Sequence, residues 1–87
     1  MYYVYMLSCG DGSLYTGIAA DVAHRLKQHM AGKGAKYTRS HLPVTLVYQE
    51  ALPDKSAALR REYAIKQLSR QEKLRLLADP EKNLLNA

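Results

Sequence analysis

Apolar and polar residues along the chain alternate first with a period of two and then with periods of three and four. Residues 2 to 8 are β-branched or aromatic in most positions, break at Cys9-Gly10-Asp11-Gly12 and resume from Ser13 to Ile18, which predicts a β-hairpin. A three-residue loop, Gly10-Asp11-Gly12, with Gly12 in the left-handed position, fits that break, and its odd length sets the side-chain parity. Tyr3, Tyr5 and Leu7 then share a face with Tyr15 and Gly17. Tyr5 and Tyr15 become diagonal cross-strand neighbours, roughly 7–8 Å apart at the backbone and within reach through their rings. An even loop would put them on opposite faces.

The period then changes. Asp21 is placed to cap a helix whose apolar residues Val22, Leu26 and Met30 recur every fourth position, with Gly32 where such a helix stops. Arg25 and His29 lie four apart beside that stripe and project together at the edge of the core. Lys33 to Arg39 reads as a basic loop. Val44 to Glu50, after Pro43, reads as a third strand. Pro53-Asp54-Lys55-Ser56 opens a second helix to about Leu68, on which Ala58, Glu62 and Ile65 follow i, i+4, i+7 spacing with Leu59 beside them. Ser69 with Glu72 forms a capping box for a third helix through Leu74, Leu76 and Leu77, closed by Asp79-Pro80. The expectation is one domain over 1–79 and a loose tail over 80–87, in an α+β arrangement.

Composition narrows the partners. The chain has 87 residues, enough for one core of few layers. Its 13 Lys and Arg against 8 Asp and Glu leave a formal charge of +5. The excess is localised: no carboxylate occurs between Asp21 and Glu50, where Arg25, Lys27, Lys33, Lys36 and Arg39 fall together with His24, His29 and His41. A one-signed segment of this kind attracts polyanions, nucleic acid first and an anionic membrane surface second. The single cysteine, Cys9, excludes an internal disulfide, and the start lacks the basic region of a secretory signal, so a cytoplasmic protein is expected. The longest apolar run, Met1 to Leu7, is strand-sized, and no membrane association is expected.

Some of these positions carry chemistry. An ionised carboxylate on an apolar helix face costs several kcal/mol unless it is paired or binds a metal. Glu62 therefore reads as a salt-bridge partner of Arg25 or Arg61, as a residue at the stripe's rim where water reaches it, or as a ligand for a hard cation such as Mg²⁺. Arg25 reads as surface cover or as a two-point clamp on a phosphate. His29 reads as a partly exposed imidazole or as a group orienting a phenol or a water. Tyr5 and Tyr15 are packing residues or phenols activated by a nearby cation, since a free phenol titrates near about 10. Gly17, on their face, leaves room for a phosphate backbone. Lys33, Lys36, Tyr37 and Arg39 make a candidate nucleic-acid contact, with the loop glycines allowing close backbone approach. A zinc site from Cys9, His24, His29 and His41 is rejected, because His24 and His29 point in different directions on a helix.

In this order the residues resemble the GIY-YIG nuclease family. Tyr3-Val4-Tyr5 stands where Gly-Ile-Tyr would be and Tyr15-Thr16-Gly17 where Tyr-Ile-Gly would be; Arg25 with His29 matches the helix signature, and Glu62 the metal-binding glutamate. The likeness spans roughly residues 2 to 75 and is closest to small stand-alone bacterial members with a loop like Gly32 to Arg39. It implies a three-stranded antiparallel sheet flanked by helices, with a single-metal site on one sheet face. It further implies that Tyr5 takes a proton from water, Tyr15 assists, Arg25 holds the phosphate, His29 orients Tyr5 and Glu62 carries one Mg²⁺ or Mn²⁺. Tyr3 replaces the first glycine, Ile18 stands at a position many members give to lysine, and Leu74 stands where an asparagine is usual; Gln67, Gln71 and Asn83 are the nearest amides.

The functional expectation is a metal-dependent endonuclease hydrolysing DNA, structure- or damage-directed, with little sequence specificity and with target choice supplied by DNA shape or a protein partner. The alternatives are a non-catalytic nucleic-acid-binding module on the same scaffold, and a protein-interaction domain using exposed tyrosines.

Overall fold

The computed structural model of the chain describes residues 1–86. Strands β1 (Tyr2–Ser8) and β2 (Leu14–Ala19) form the hairpin, followed by α1 (Val22–Met30), the short α2 (Lys36–Arg39), β3 (Thr45–Leu52), α3 (Lys55–Lys66), α4 (Arg70–Leu77) and a 3-10 turn at Leu84–Asn86. The sheet is antiparallel with the order β2-β1-β3. Tyr5 pairs with Gly17 and Leu7 with Tyr15, the register expected from the three-residue turn. That turn is closed by Cys9 N–H donating to the Ser13 carbonyl at 2.9 Å, with Gly12 at φ +84°.

Alternation along the central β1 separates two apolar layers. Val4 and Met6 pack with Tyr48, Ala58 and Ile65, so α3 covers one face. Tyr5 and Leu7 pack with Cys9, Val22 and Val44 on the other, under α1. Each helix starts where its cap places it. Asp21 accepts from His24 N–H at 3.0 Å, Asp54 from Ala57 N–H at 2.8 Å, and Ser69 and Glu72 form the reciprocal capping box. The covering of α1 differs from its apolar spacing. Met30 is 59% exposed, whereas His29, expected at the core edge, is fully buried. Leu59 on α3 also lies open to solvent. Part of the expected basic loop is helical: Lys36 to Arg39 coil into α2, and the side of that turn carrying Thr38 is buried against His29.

The segment after Asp79 is not loose over residues 81–86; Ala87 lies outside the described residues. Asn83 is buried, and its side-chain carbonyl accepts from Gln49 N–H at 3.3 Å and Leu85 N–H at 3.1 Å. Its amide donates to the carbonyls of Val47 at 3.0 Å and Leu77 at 2.9 Å. Strand β3 is an edge strand, bulged between its pairings with Met6 and Leu7, and Asn83 bonds backbone groups there as a neighbouring strand would. Its amide is thereby spent on the fold. Replacing Asn83 by Ala strands those donors and acceptors, and the urea midpoint should fall by an amount equivalent to about 2 kcal/mol. A variant unfolding at the wild-type midpoint would show that water satisfies the edge equally well.

Candidate active site

The Tyr5 ring crosses β2 where Gly17 has no side chain. A Cβ at Gly17 would lie 2.7 Å from the Tyr5 hydroxyl and 2.8 Å from its ring, so the space that the sequence leaves open is filled by the phenol itself. The Tyr5 hydroxyl meets His29 Nε2 at 2.8 Å, and His29 Nδ1 meets the Thr38 hydroxyl at 2.8 Å. Thr38 in turn donates to the Ala35 carbonyl at 2.9 Å. Its one hydroxyl proton is committed there, so towards His29 it only accepts. His29 Nδ1 therefore carries the ring proton, Nε2 presents its lone pair, and Tyr5 donates to it. Burial, helped by the charge of Arg25, lowers the His29 pKa below 6.5 and keeps the ring neutral. Gly34 makes the enclosure possible, since a Cβ there would come 2.2 Å from His29 Nδ1. The loop glycine expected to admit an anion admits the imidazole instead.

Burial likewise pushes the Tyr5 pKa up to about 12, with the neighbouring Tyr15 adding to the shift. Arg25 opposes it through a hydrogen bond and its charge, while Glu62 adds a smaller upward effect. Arg25 is steadied by donating to Gln28 Oε1 at 2.9 Å. Glu62 belongs to α3, the helix of the opposite layer, so the set is assembled from both layers rather than on one sheet face. Its carboxylate side chain is 19% exposed and pairs with Lys66 at 3.3 Å. Neither Arg25 nor Arg61 is its salt-bridge partner. Arg61 Nε instead bonds both oxygens of Glu50, at 3.1 and 3.0 Å, and Glu50 also accepts from Tyr48.

Tyr15 stands with its ring against the edge of His29 at 5.4 Å and stacks on Tyr37 at 6.3 Å, which stacks on His41 at 4.2 Å. Tyr37 also donates to Ser13 Oγ at 2.6 Å. Thus Tyr37 braces the hairpin turn against α2. Lys33, Lys36 and Arg39 are exposed and take part in none of the ion pairs among the described residues. Thr38, which sets the His29 tautomer, was not singled out from sequence. Its only local signal is its position next to Tyr37 in a glycine-bearing basic stretch.

Among the described residues no group of three or more His, Cys, Asp and Glu converges for a metal. The donor set on offer is one carboxylate, Glu62, partly open to solvent. That suits a hard ion such as Mg²⁺, which keeps several waters and commonly takes one or two carboxylates with substrate phosphate oxygens. Among the described residues no helix is long and apolar enough to cross a membrane.

Comparison with known proteins shows the family and the fold. The model of the GIY-YIG catalytic domain matches residues 1–75. A UPF0213 protein of Streptococcus sanguinis is 57% identical over 81 residues, covering 93% of each chain. One from Staphylococcus saprophyticus is 54% identical over 78 residues, 90% of this chain and 95% of the relative. Among solved structures, the solution NMR structure of the UPF0213 protein from Bacillus halodurans superimposes with a TM-score of 0.60 at 47% identity, covering 99% of this chain and 92% of that one. A protein from E. faecalis superimposes with a TM-score of 0.61 at 39% identity, covering 88% and 82%. With its paired tyrosines on one sheet face and its arginine and histidine on the helix that follows them, the chain belongs to the GIY-YIG domain family, in its UPF0213 branch.

Proposed function

We propose that this chain is a divalent-metal-dependent endonuclease that hydrolyses DNA phosphodiester bonds, directed by DNA structure or damage rather than by sequence. The observation that carries the reading is the buried relay from Tyr5 through His29 to Thr38, with Arg25 and Glu62 acting electrostatically on the same phenol.

A phenol titrating near about 12 holds its proton at neutral pH and is no base by itself. The relay removes that obstacle. As Tyr5 oxygen takes a proton from the attacking water, its own proton passes to His29 Nε2, whose lone pair already faces it. The water oxygen forms a bond to phosphorus, the opposite ester bond breaks and the departing oxygen takes a proton from solvent; Tyr5 then releases a proton to solvent and recovers its own from His29 Nε2, which restores the neutral ring. Arg25, next to the phenol, offsets the charge gathering on the phosphate oxygens and the charge of the transferring phenol. Tyr15 keeps the His29 ring in place by edge contact and offers its hydroxyl to the water or phosphate. Glu62 would hold Mg²⁺ or Mn²⁺, which when bound would supply Lewis-acid stabilisation of the phosphate charge. The exposed Lys33, Lys36 and Arg39 favour a second reading, a non-catalytic binding module. That module would keep salt-sensitive DNA binding in Glu62→Ala and lose it when these three are neutralised.

Nicking of plasmid and branched DNA with Mg²⁺ or Mn²⁺ separates the two. Glu62→Ala and Tyr5→Phe should each lower the rate about 100-fold or more, the range for loss of a general base or an electrostatic stabiliser. Residual cleavage equal in wild type and both variants would identify a contaminant and remove the nuclease reading. Thr38→Val should lower the rate about tenfold, with Thr38→Ser restoring it, because only a hydroxyl holds the tautomer.

The pH dependence follows from His29. The relay needs a neutral imidazole, so the acid limb of the nicking rate should lie below 6.5. The same shift couples to folding: the unfolded chain binds the proton first, so stability should be full above pH 6.5 and decline as pH falls towards the lowered folded value. Chemical denaturation from pH 7.5 to 5 on wild type and His29→Gln checks it, the variant showing a flatter profile. Parallel profiles would locate the acid sensitivity elsewhere.

A further inference from the structure

Beside the relay, a cleft of about 480 Å³ opens between the ends of β1 and β2, the first turn of α1 and the first residue of α3. We propose that it receives an unpaired nucleotide adjoining the cleaved phosphate, an assignment that rests on the nuclease reading above. Its lining has an apolar part, Ile18 with Ala19 and Ala20, and an aromatic ring, Tyr2. Arg25, His24 and Lys55 line the remainder. Asp21 is the one carboxylate on the wall, and one of its oxygens is turned to the backbone N–H of His24 as the cap of α1. Arg25 belongs to both places, since its guanidinium also acts on the Tyr5 phenol. A phosphate held at Arg25 would therefore adjoin the cleft. The next nucleotide along the strand meets an exposed ammonium, Lys55, and then an apolar and aromatic surface.

The combination selects the form of the strand. Cations alone would bind any duplex backbone, but an apolar lining with an aromatic ring offers a nucleobase a stacking surface. In continuous duplex the bases stay stacked on one another and none is free to enter. An unpaired nucleotide at a flap, fork or gap has already given up that stacking, so its base enters at little cost. The cleft thus makes the strand next to the cut, rather than its base sequence, the feature discriminated.

The test is fluorescence anisotropy with two labelled duplexes of equal length, one continuous and one with a single unpaired nucleotide, in EDTA so that neither is cut. Wild type should bind the second about tenfold more tightly, a difference within what one stacked base supplies. Lys55→Ala and Tyr2→Leu should each bring the two affinities to within about twofold, while the distant Lys82→Ala keeps the preference. Lys55 is exposed at a helix start, so its variant answers even where Tyr2→Leu disturbs folding. Equal affinities in wild type, or a preference surviving in Lys55→Ala, overturns the subsite. Parallel digests with Mg²⁺ and Mn²⁺ separate the two readings. Cleavage without the binding preference removes only the subsite, and a preference without any cleavage removes the nuclease reading and this placement with it.

Discussion

The structure depends on a hydrogen-bond chain enclosed between α1, α2 and the hairpin. Tyr5 donates to His29, His29 to Thr38, and Thr38 to the carbonyl of Ala35. The side chains of Tyr5, His29 and Thr38 are buried, and their polar atoms would be costly unpaired. The chain has only one consistent proton arrangement, because Thr38 has one proton and Ala35 takes it. Packing thereby decides a chemical property, the tautomer of an imidazole, from two hydrogen bonds away along the network.

Two glycines show how the surroundings comply. At Gly17 and Gly34 a single added carbon would collide with the Tyr5 ring and the His29 ring respectively. Both are places where backbone yields volume to a functional ring, and neither is left open for substrate. On the proposed nuclease reading, a phosphate would approach from the rim, where Arg25 and Glu62 act on the same phenol, rather than across the face of the hairpin. The aromatic column of Tyr15, Tyr37 and His41 performs a related task at the other end, joining the hairpin turn to α2 so that Thr38 stays over His29.

The remaining polar groups hold the scaffold. Glu50 gathers Tyr48 and Arg61 beside the α3 layer, which leaves Glu62 with only the exposed Lys66 as an ion-pair partner among the described residues. A carboxylate tied to a mobile, solvated ammonium is readily given up to a cation, whereas one enclosed by two fixed donors would not be. Asn83 secures the edge of β3 at the far side, so the residue that stabilises this edge is not one of the candidate site residues.

What could be read along the chain was local. Turn length sets strand parity, so the shared face of Tyr5, Tyr15 and Gly17 followed from three residues between two strands. Side-chain caps fix helix starts, so Asp21, Asp54 and Ser69 announced theirs. Charge spacing marked Lys33 to Arg39 as a basic stretch, in which Lys33, Lys36 and Arg39 are exposed. The tertiary structure decided what depends on contacts between distant segments. His29 is enclosed and Met30 exposed because α2 folds back on one side of α1, a choice that the apolar spacing of α1 does not contain. Thr38 and Asn83 gain their roles from partners nine and more than thirty residues away, and hydrogen-bond geometry across such separations leaves no periodic trace in a sequence. Periodicity reports which side of an element is buried; which atom it is buried against is settled only when the layers close.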